Sequence, residues 1–396
     1  MNYLELIGRQ ARLFDDDISL HNDELKEIVS NSSFLIIGGA GSIGRAVVKE
    51  IFQRKPRILH VVDLSENNLV ELVRDIRSSI GYIKGEFKTF AIDCGGKEFE
   101  VLINNSKNYD YVLNLSALKH VRSEKDPFTL MRMINVNIFN TIETINLAIE
   151  NGVKKYFCVS TDKAANPVNL MGASKRIMEK FIMHENFNLK LSTARFANVA
   201  FSDGSLLQGF LNRFNQGQPI AAPNDVKRYF VTPQESGELC LMSCIFGDDK
   251  EIFFPKSDDS LYLTNFKDIA ENFLKSKGYG IYECNSEEEA RSNLDKIILS
   301  KEWPCYFSKS TTSGEKSFEE FYTKDEHLDL DRFNSIGVIL KPSENSIDFS
   351  YDDFYDAISN LKNNNYWTKE DILNIFQKIL SNFDHIETGY DLDEKM

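Results

Sequence analysis

No stretch of the 396-residue sequence reaches the roughly 18 consecutive apolar residues that a membrane-spanning helix needs. The opening residues, MNYLELIGRQARLFDDD, lack the charged-then-apolar layout of a secretory signal. A soluble, cytoplasmic protein with no membrane insertion is therefore expected. Positive charge is scarce: 46 Lys and Arg stand against 60 Asp and Glu, a formal net charge of −14. A nucleic-acid binder or a polybasic membrane-surface protein must present cations to phosphate, so neither is expected. An anionic ligand would have to be met by a few local cations. Cysteine is sparse too. The six (Cys94, Cys158, Cys240, Cys244, Cys284, Cys305) have neither disulfide nor metal spacing, and Cys240 with Cys244 reads as helix packing. No metal is expected. With 9 Pro, 21 Gly and 42% hydrophobic residues, the chain is neither low-complexity nor too small to bury a full core.

What the sequence does contain is an alternation. Residues 1–31 read as a polar, amphipathic leader in which Asn22 to Val29 forms a short capped helix. The apolar runs 34–37, 58–62, 87–92, 111–115, 156–160 and 191–196 are then separated by periodic, helix-length segments. Short apolar strands alternating with helices predict an α/β fold, a Rossmann-type doubly wound parallel sheet with helices on both faces. The expected sheet-bearing unit covers residues 32–200, followed by a smaller ligand-binding region over 201–280. Past 280 the chain turns polar and acidic with few glycines, which predicts an appended, partly helical extension over 281–396.

Gly38-Gly39-Ala40-Gly41-Ser42-Ile43-Gly44 stands directly between the first strand and a helix running through Phe52. Glycines at 38, 41 and 44 suit a tight turn, a close backbone approach to a pyrophosphate, and close helix–strand packing, with helix N–H groups facing the anion. The candidate cofactor residues here are Gly38, Gly41, Ser42, Ile43 and Gly44. Asp63 ends the next strand 19 residues after Gly44, where a carboxylate grips the adenosine ribose diol. Its charge would repel a 2′-phosphate, which favours NAD over NADP; a plain strand-end cap is the alternative. Asp93 ends the following strand within reach of an adenine amino group, or is a turn aspartate.

Val159-Ser160-Thr161-Asp162-Lys163 ends a further strand, and Met171-Gly172-Ala173-Ser174-Lys175 follows on a helix. A hydroxyl, a carboxylate and an amine at the carboxyl end of a parallel strand can bind a sugar hydroxyl and move protons. A helix cap with a surface lysine is the simpler reading of Thr-Asp-Lys alone; the glycine loop in the same sheet favours chemistry.

Taken together, GGAGSIG, Asp63, Ser116-Ala117-Leu118-Lys119-His120-Val121, STDKAANPVNLMGASKR and Arg228-Tyr229-Phe230 resemble the extended short-chain dehydrogenases/reductases. Within them the chain is similar to the UDP-N-acetylglucosamine 4,6-dehydratases of polysaccharide biosynthesis. The resemblance covers about residues 30–275, and Thr312-Ser313-Gly314-Glu315-Lys316 resembles a later stretch of some members.

The resemblance implies a redox-neutral elimination. Tightly held NAD oxidises sugar C4, the resulting ketone acidifies the C5 proton, water leaves across C5–C6, and C6 is reduced. It implies that Thr161 hydrogen-bonds the C4 oxygen, and that Asp162 and Lys163 serve as acid for the departing C6 hydroxyl and base for the C5 proton. Lys175 would hold the nicotinamide ribose. Ser116 and Ala117 would border the cofactor, and Lys119 and His120 the nicotinamide and sugar, unless these are solvated loop residues. In Arg195-Phe196-Ala197-Asn198-Val199, Asn198 would donate to the diphosphate of a nucleotide-sugar substrate, UDP-GlcNAc being expected. Arg228 would pair with the same diphosphate, a surface salt bridge being the alternative. Gln208, Phe210 and Phe214 fall on a helix that could line the uridine side, though aromatic residues at such spacing read more readily as core.

One position departs from the wider superfamily. Met171 stands where most members carry an acid–base tyrosine, and methionine moves no protons. A degenerate NAD binder is one reading; the other is similarity to the methionine-bearing subgroup that retains the C5 configuration, which the intact Thr161, Asp162, Lys163 and Lys175 favour. Asp162 or Lys163, directly or through Thr161, then deprotonates O4. The competing functions are a 4-epimerase or reductase and a non-catalytic NAD-binding scaffold. By analogy with extended dehydrogenases, a homodimer or higher homo-oligomer is expected.

Overall fold

The computed structural model describes residues 2–386 apart from 107–108, 258–260, 311–313, 315, 317, 341–349 and 382. Each apolar run expected as a strand is one: β1 (Ser33–Ile37), β2 (Ile58–Asp63), β3 (Glu86–Ala91), β4 (Tyr111–Asn114), β5 (Lys155–Thr161) and β6 (Lys190–Phe196). β1 is buried at all five positions because helices cover both faces of the sheet. The strands lie in the order 3-2-1-4-5-6, all parallel, and Glu251–Pro255 adds a further parallel strand beside β6. The order reverses at β1, so a crevice opens between the carboxyl ends of β1 and β4. This is the doubly wound α/β architecture that the alternation predicts.

Beyond residue 280 the chain is woven in rather than appended. Ile336–Ile339 pairs antiparallel with Glu251–Pro255, and Leu328–Asp329 forms the outer edge of the same nine-stranded sheet. Glu302–Ser308 lies between Gly280–Cys284 and Ile220–Pro223 in a separate parallel sheet of three strands. That sheet caps a second core containing Phe210, Phe266, Phe273 and Trp303, with Phe214 packed against it. A four-residue strand such as Ile336–Ile339 is too short to show a period, and its pairing is not local. The leader is integral as well. Phe14, Leu25 and Val29 enter the main core, and Asp17 accepts from the amides of Asn334 (2.6 Å) and Ser335 (2.8 Å).

A buried ion network ties these layers together. Arg195, on β6, is fully buried; it meets Glu179 of the helix Leu170–His184 at 2.8 Å and Glu326 at 2.7 Å. Ser160 donates to the same Glu179 at 2.6 Å. Burial alone would raise the Glu326 carboxyl, but the Arg195 guanidinium holds it down at about 2. The C-terminal helices Tyr351–Asn363 and Lys369–Ile379 close over this side, with Tyr351 and Phe354 against the rings of Phe139 and Phe181.

Replacing Arg195 by methionine leaves Glu179 and Glu326 with only the partly exposed Arg176, at 3.1 and 2.9 Å, as counter-charge, and is expected to destabilise the fold by about 3–5 kcal/mol at neutral pH. A carboxyl whose folded pKa is depressed stabilises in full above its unfolded value and loses that contribution as pH falls. The wild-type advantage over Arg195→Met should therefore shrink between about pH 4.5 and 2, as measured by urea unfolding across that range.

Candidate active site

Strand ends meet at the crevice. Gly38 has φ +71°, and a Cβ there would lie 2.7 Å from the Ser116 amide; a Cβ on Gly44 would collide with the Gly38 carbonyl. Protein closes both positions. Gly41 differs, because a Cβ there would meet only the Gly38 oxygen, at an ordinary 3.6 Å. Gly41 also caps the helix Ser42–Phe52 without a side chain, so among the described residues no side chain caps the first-turn amides of Ser42, Ile43 and Gly44. The donor set suits a pyrophosphate.

The neighbouring residues already have protein partners. Asp63 accepts from the Ala40 amide and the Ser65 amide, both at 2.9 Å, so it does cap the strand end; each oxygen keeps a further lone pair. The Ser42 hydroxyl donates to Asp203 at 2.8 Å. Asp93 is exposed and accepts from Gly95 at 3.0 Å. Ser116 donates to Asn114 at 2.6 Å, and Ala117 packs half-buried against the core.

At the end of β5, Thr161 Oγ1 donates to Asp162 Oδ1 at 2.8 Å, and the amide and Nζ of Lys163 reach the same oxygen at 2.9 and 3.4 Å. Asp162 Oδ2 is buried and makes no hydrogen bond among the described residues. A buried carboxylate oxygen left bare is costly, and a ligand hydroxyl would satisfy it. Burial disfavours the Lys163 ammonium, but Asp162 and Glu319 outweigh it and raise its pKa. Lys175 is the opposite case. It is 4% exposed, its Nζ points at Met178 Sδ (3.8 Å), and burial lowers it to about 8 against the weaker pull of Cys158 and Glu179. Met171 is buried on the same helix.

On the far side, Asn198 sits across a parallel bridge from Phe230 and takes the Tyr229 carbonyl at its amide (3.0 Å). Arg228 is buried two positions along, donating to the Lys227 and Lys316 carbonyls at 2.9 Å each. Lys119 reaches Ser202 at 3.3 Å, and the His120 ring lies where a Cβ on Gly204 would be. Phe210 and Phe214 belong to the second core rather than to this crevice. Of the 312–316 stretch, Thr312, Ser313 and Glu315 lie outside the described residues.

Three further residues shape the site without a sequence signal of their own. Asn137, in a π-turn within the helical stretch 127–150, bonds both backbone groups of Leu118 (2.9 and 3.1 Å) and Ser174 (3.0 Å). Glu124 accepts from the Met171 amide at 2.8 Å and fixes the start of the Lys175 helix. Glu319 lies 3.6 Å from Lys163 Nζ. A polar run, Ser123 to Asp126, was the only local hint of Glu124; Glu319 had none linking it to β5.

The Campylobacter jejuni (serotype O:23/36) protein named UDP-N-acetylglucosamine 4,6-dehydratase (inverting) is 28% identical over 291 residues, 71% of this chain and 83% of its own. CapD, a capsular polysaccharide biosynthesis protein of Staphylococcus aureus, is 26% identical over 331 residues, 82% of this chain and 51% of CapD; the chain thus spans about half of that relative. A UDP-glucose 4-epimerase of Rickettsia canadensis is 29% identical over 248 residues, 58% of this chain and 67% of its own. The solved structure of Pen from Bacillus thuringiensis shares the fold, with a TM-score of 0.64 at 23% identity over 89% of this chain and 98% of Pen. Among the described residues no helix is long and apolar enough to cross a membrane. A family model described as "Polysaccharide biosynthesis protein" matches residues 34–341, most of the sequence, and the chain belongs to that family.

Proposed function

We propose that this chain is an NAD-dependent nucleotide-sugar 4,6-dehydratase, converting UDP-GlcNAc to a UDP-4-keto-6-deoxy-N-acetylhexosamine with the C5 configuration retained. The observation that carries the reading is the end of β5. There a hydroxyl, a buried carboxylate with one bare oxygen and an amine stand in consecutive positions, while position 171 holds nothing that ionises.

NAD, bound over Gly41 and the uncapped helix start, supplies the redox chemistry at sugar C4 and C6. The chain's own residues handle protons and charge. Thr161 orients the C4 oxygen, and its contact with Asp162 gives the O4 proton a route into the pair. Once C4 is a ketone, the C5 proton is acidic enough for Lys163 to take. The bare Asp162 oxygen faces the departing C6 hydroxyl, which leaves as water. Lys175 holds the nicotinamide ribose, and Arg228 with Asn198 binds the diphosphate, so a chain of net charge −14 meets its anionic substrate with local cations.

Epimerases are among the relatives, but 4-epimerisation needs an acid–base group at position 171 and has no use for an Asp–Lys pair. Incubation with UDP-GlcNAc without added NADH separates the possibilities by mass spectrometry. Loss of one water is expected; a mass-neutral change indicates an epimerase, and no change a scaffold. NMR couplings of the product read the C5 configuration, and inversion there refutes retention. Asp162→Asn and Lys163→Ala should each lower kcat by about 10²–10⁴-fold.

Lys175 loses its proton as pH rises through about 8. If its ammonium holds the cofactor, NAD affinity measured calorimetrically falls above that pH. Lys175→Met should bind weakly throughout and lose this pH dependence.

A further inference from the structure

Glu319 is a buried carboxylate for which the reaction as described has no use. It is 3% exposed, and its Oε1 lies 3.6 Å from Lys163 Nζ without making a hydrogen bond among the described residues. Two buried carboxylates that serve the fold, Glu179 and Glu235, are saturated. Glu179 accepts from Ser160 and from two nitrogens of Arg195, and Glu235 from Arg9 and the amides of Leu13 and Thr232. A carboxylate buried for packing alone would be expected to look like those.

The segment carrying Glu319 is held down over the loop between Lys163 and the helix cap Asn169. Gly314, at φ +66°, lies so close that a Cβ would meet Asn169 Cβ at 2.5 Å, and Asn169 donates to the Gly314 carbonyl at 2.8 Å. Lys316 Nζ donates to the Asn166 carbonyl, and Asn166 donates to Glu320 at 2.8 Å. Arg228 donates to the Lys316 carbonyl, and the Arg195–Glu326 pair anchors the downstream end.

We propose that Glu319 is a positioning residue that sets the proton affinity of Lys163 and thereby governs the proton transfers at C5 and C6. The proposal rests on the dehydratase reading of Lys163. The charged groups facing Glu319 are Asp162 and Lys163 from the end of β5, Arg228 from its short strand, and Lys316 from its own segment, 4.0 Å away. Burial pushes the Glu319 carboxyl up, against the pull of Lys163.

The consequence is a gate on one proton. With Glu319 ionised, the Lys163 ammonium lies between two carboxylates and keeps its proton. With Glu319 protonated, only Asp162 favours the ammonium, so Nζ sheds its proton, and Asp162, 3.4 Å from Nζ, receives the O4 proton through Thr161 as C4 is oxidised. That leaves a neutral amine and a carboxylic acid. The amine takes the C5 proton as the C6–O bond breaks, the acid gives its proton to the departing hydroxyl, and water leaves. The pair is then ammonium and carboxylate; the ammonium returns its proton to C5 as C6 is reduced, which restores the neutral amine, and Glu319 keeps its own proton throughout.

Trace acetylation of Lys163 by acetic anhydride across a pH series, quantified by mass spectrometry, reads its proton affinity without any turnover. Glu319→Gln is expected to lower the labelling midpoint by roughly one pH unit or more, because an anion close to the ammonium is gone. Glu319→Asp keeps the charge but withdraws it by one methylene, and should shift the midpoint less. The limb of the kcat–pH profile that depends on Lys163 should move to lower pH in step, with KM for UDP-GlcNAc within about two-fold. An unchanged midpoint in either well-folded variant overturns the proposal whatever the turnover. A shifted midpoint in a protein that does not dehydrate UDP-GlcNAc overturns the dehydratase reading instead.

Discussion

A guanidinium out of reach of water must find its counter-charges inside the protein, and Arg195 finds two. One is on the helix that carries Met171 and Lys175, and the other is on the returning C-terminal segment. Ser160, the residue before Thr161, bonds the same Glu179. The end of β5, the start of the lysine helix and the segment bearing Glu319 are thus fixed to one cation. Arg176 meets both carboxylates as well, so moving any of these breaks a buried network of four charges, and the geometry of the pocket is set by electrostatics as much as by the sheet.

The same reasoning separates the two buried lysines. Both lose hydration, which by itself favours the neutral amine. Lys163 has Asp162 and Glu319 beside it, and the pair of carboxylates more than offsets burial. Lys175 has a thioether at hydrogen-bond range and only more distant charge, so burial wins. One lysine is a tight holder of its proton whose grip a neighbour can relax. The other gives its proton up near pH 8, where an arriving ligand's oxygens would favour the charged form. Sequence position alone does not distinguish them; the partners do.

What could be read from the sequence was whatever the chain states locally. The strands announced themselves as apolar runs, and the glycine loop as three glycines whose spacing has a steric reason, seen in the contacts at Gly38 and Gly44. Asp63 was placed at its strand end, and its capping of Ala40 shows why a carboxylate is stable there even before a ligand arrives. Glu319, Asn137 and the Arg195–Glu326 pair were not legible, because each acts on a residue distant in the chain. The 336–339 strand was hidden for the same reason, being four residues in a polar stretch whose partner lies more than eighty residues earlier.

Met171 shows how a lost side-chain function changes what a position is for. Its thioether carries no proton, yet its amide is held by the buried Glu124, which adds a side-chain acceptor to the start of a helix already capped by Asn169. The helix register that places Lys175 therefore does not depend on a phenol at position 171. On the dehydratase reading, proton transfer is then left to the end of β5, where Asp162 offers an oxygen with no partner among the described residues and Glu319 stands behind Lys163. A tyrosine would act as acid and base from one atom. On the proposed reading Asp162 and Lys163 divide that work across 3.4 Å, and Glu319, 3.6 Å from Lys163, acts through its charge alone.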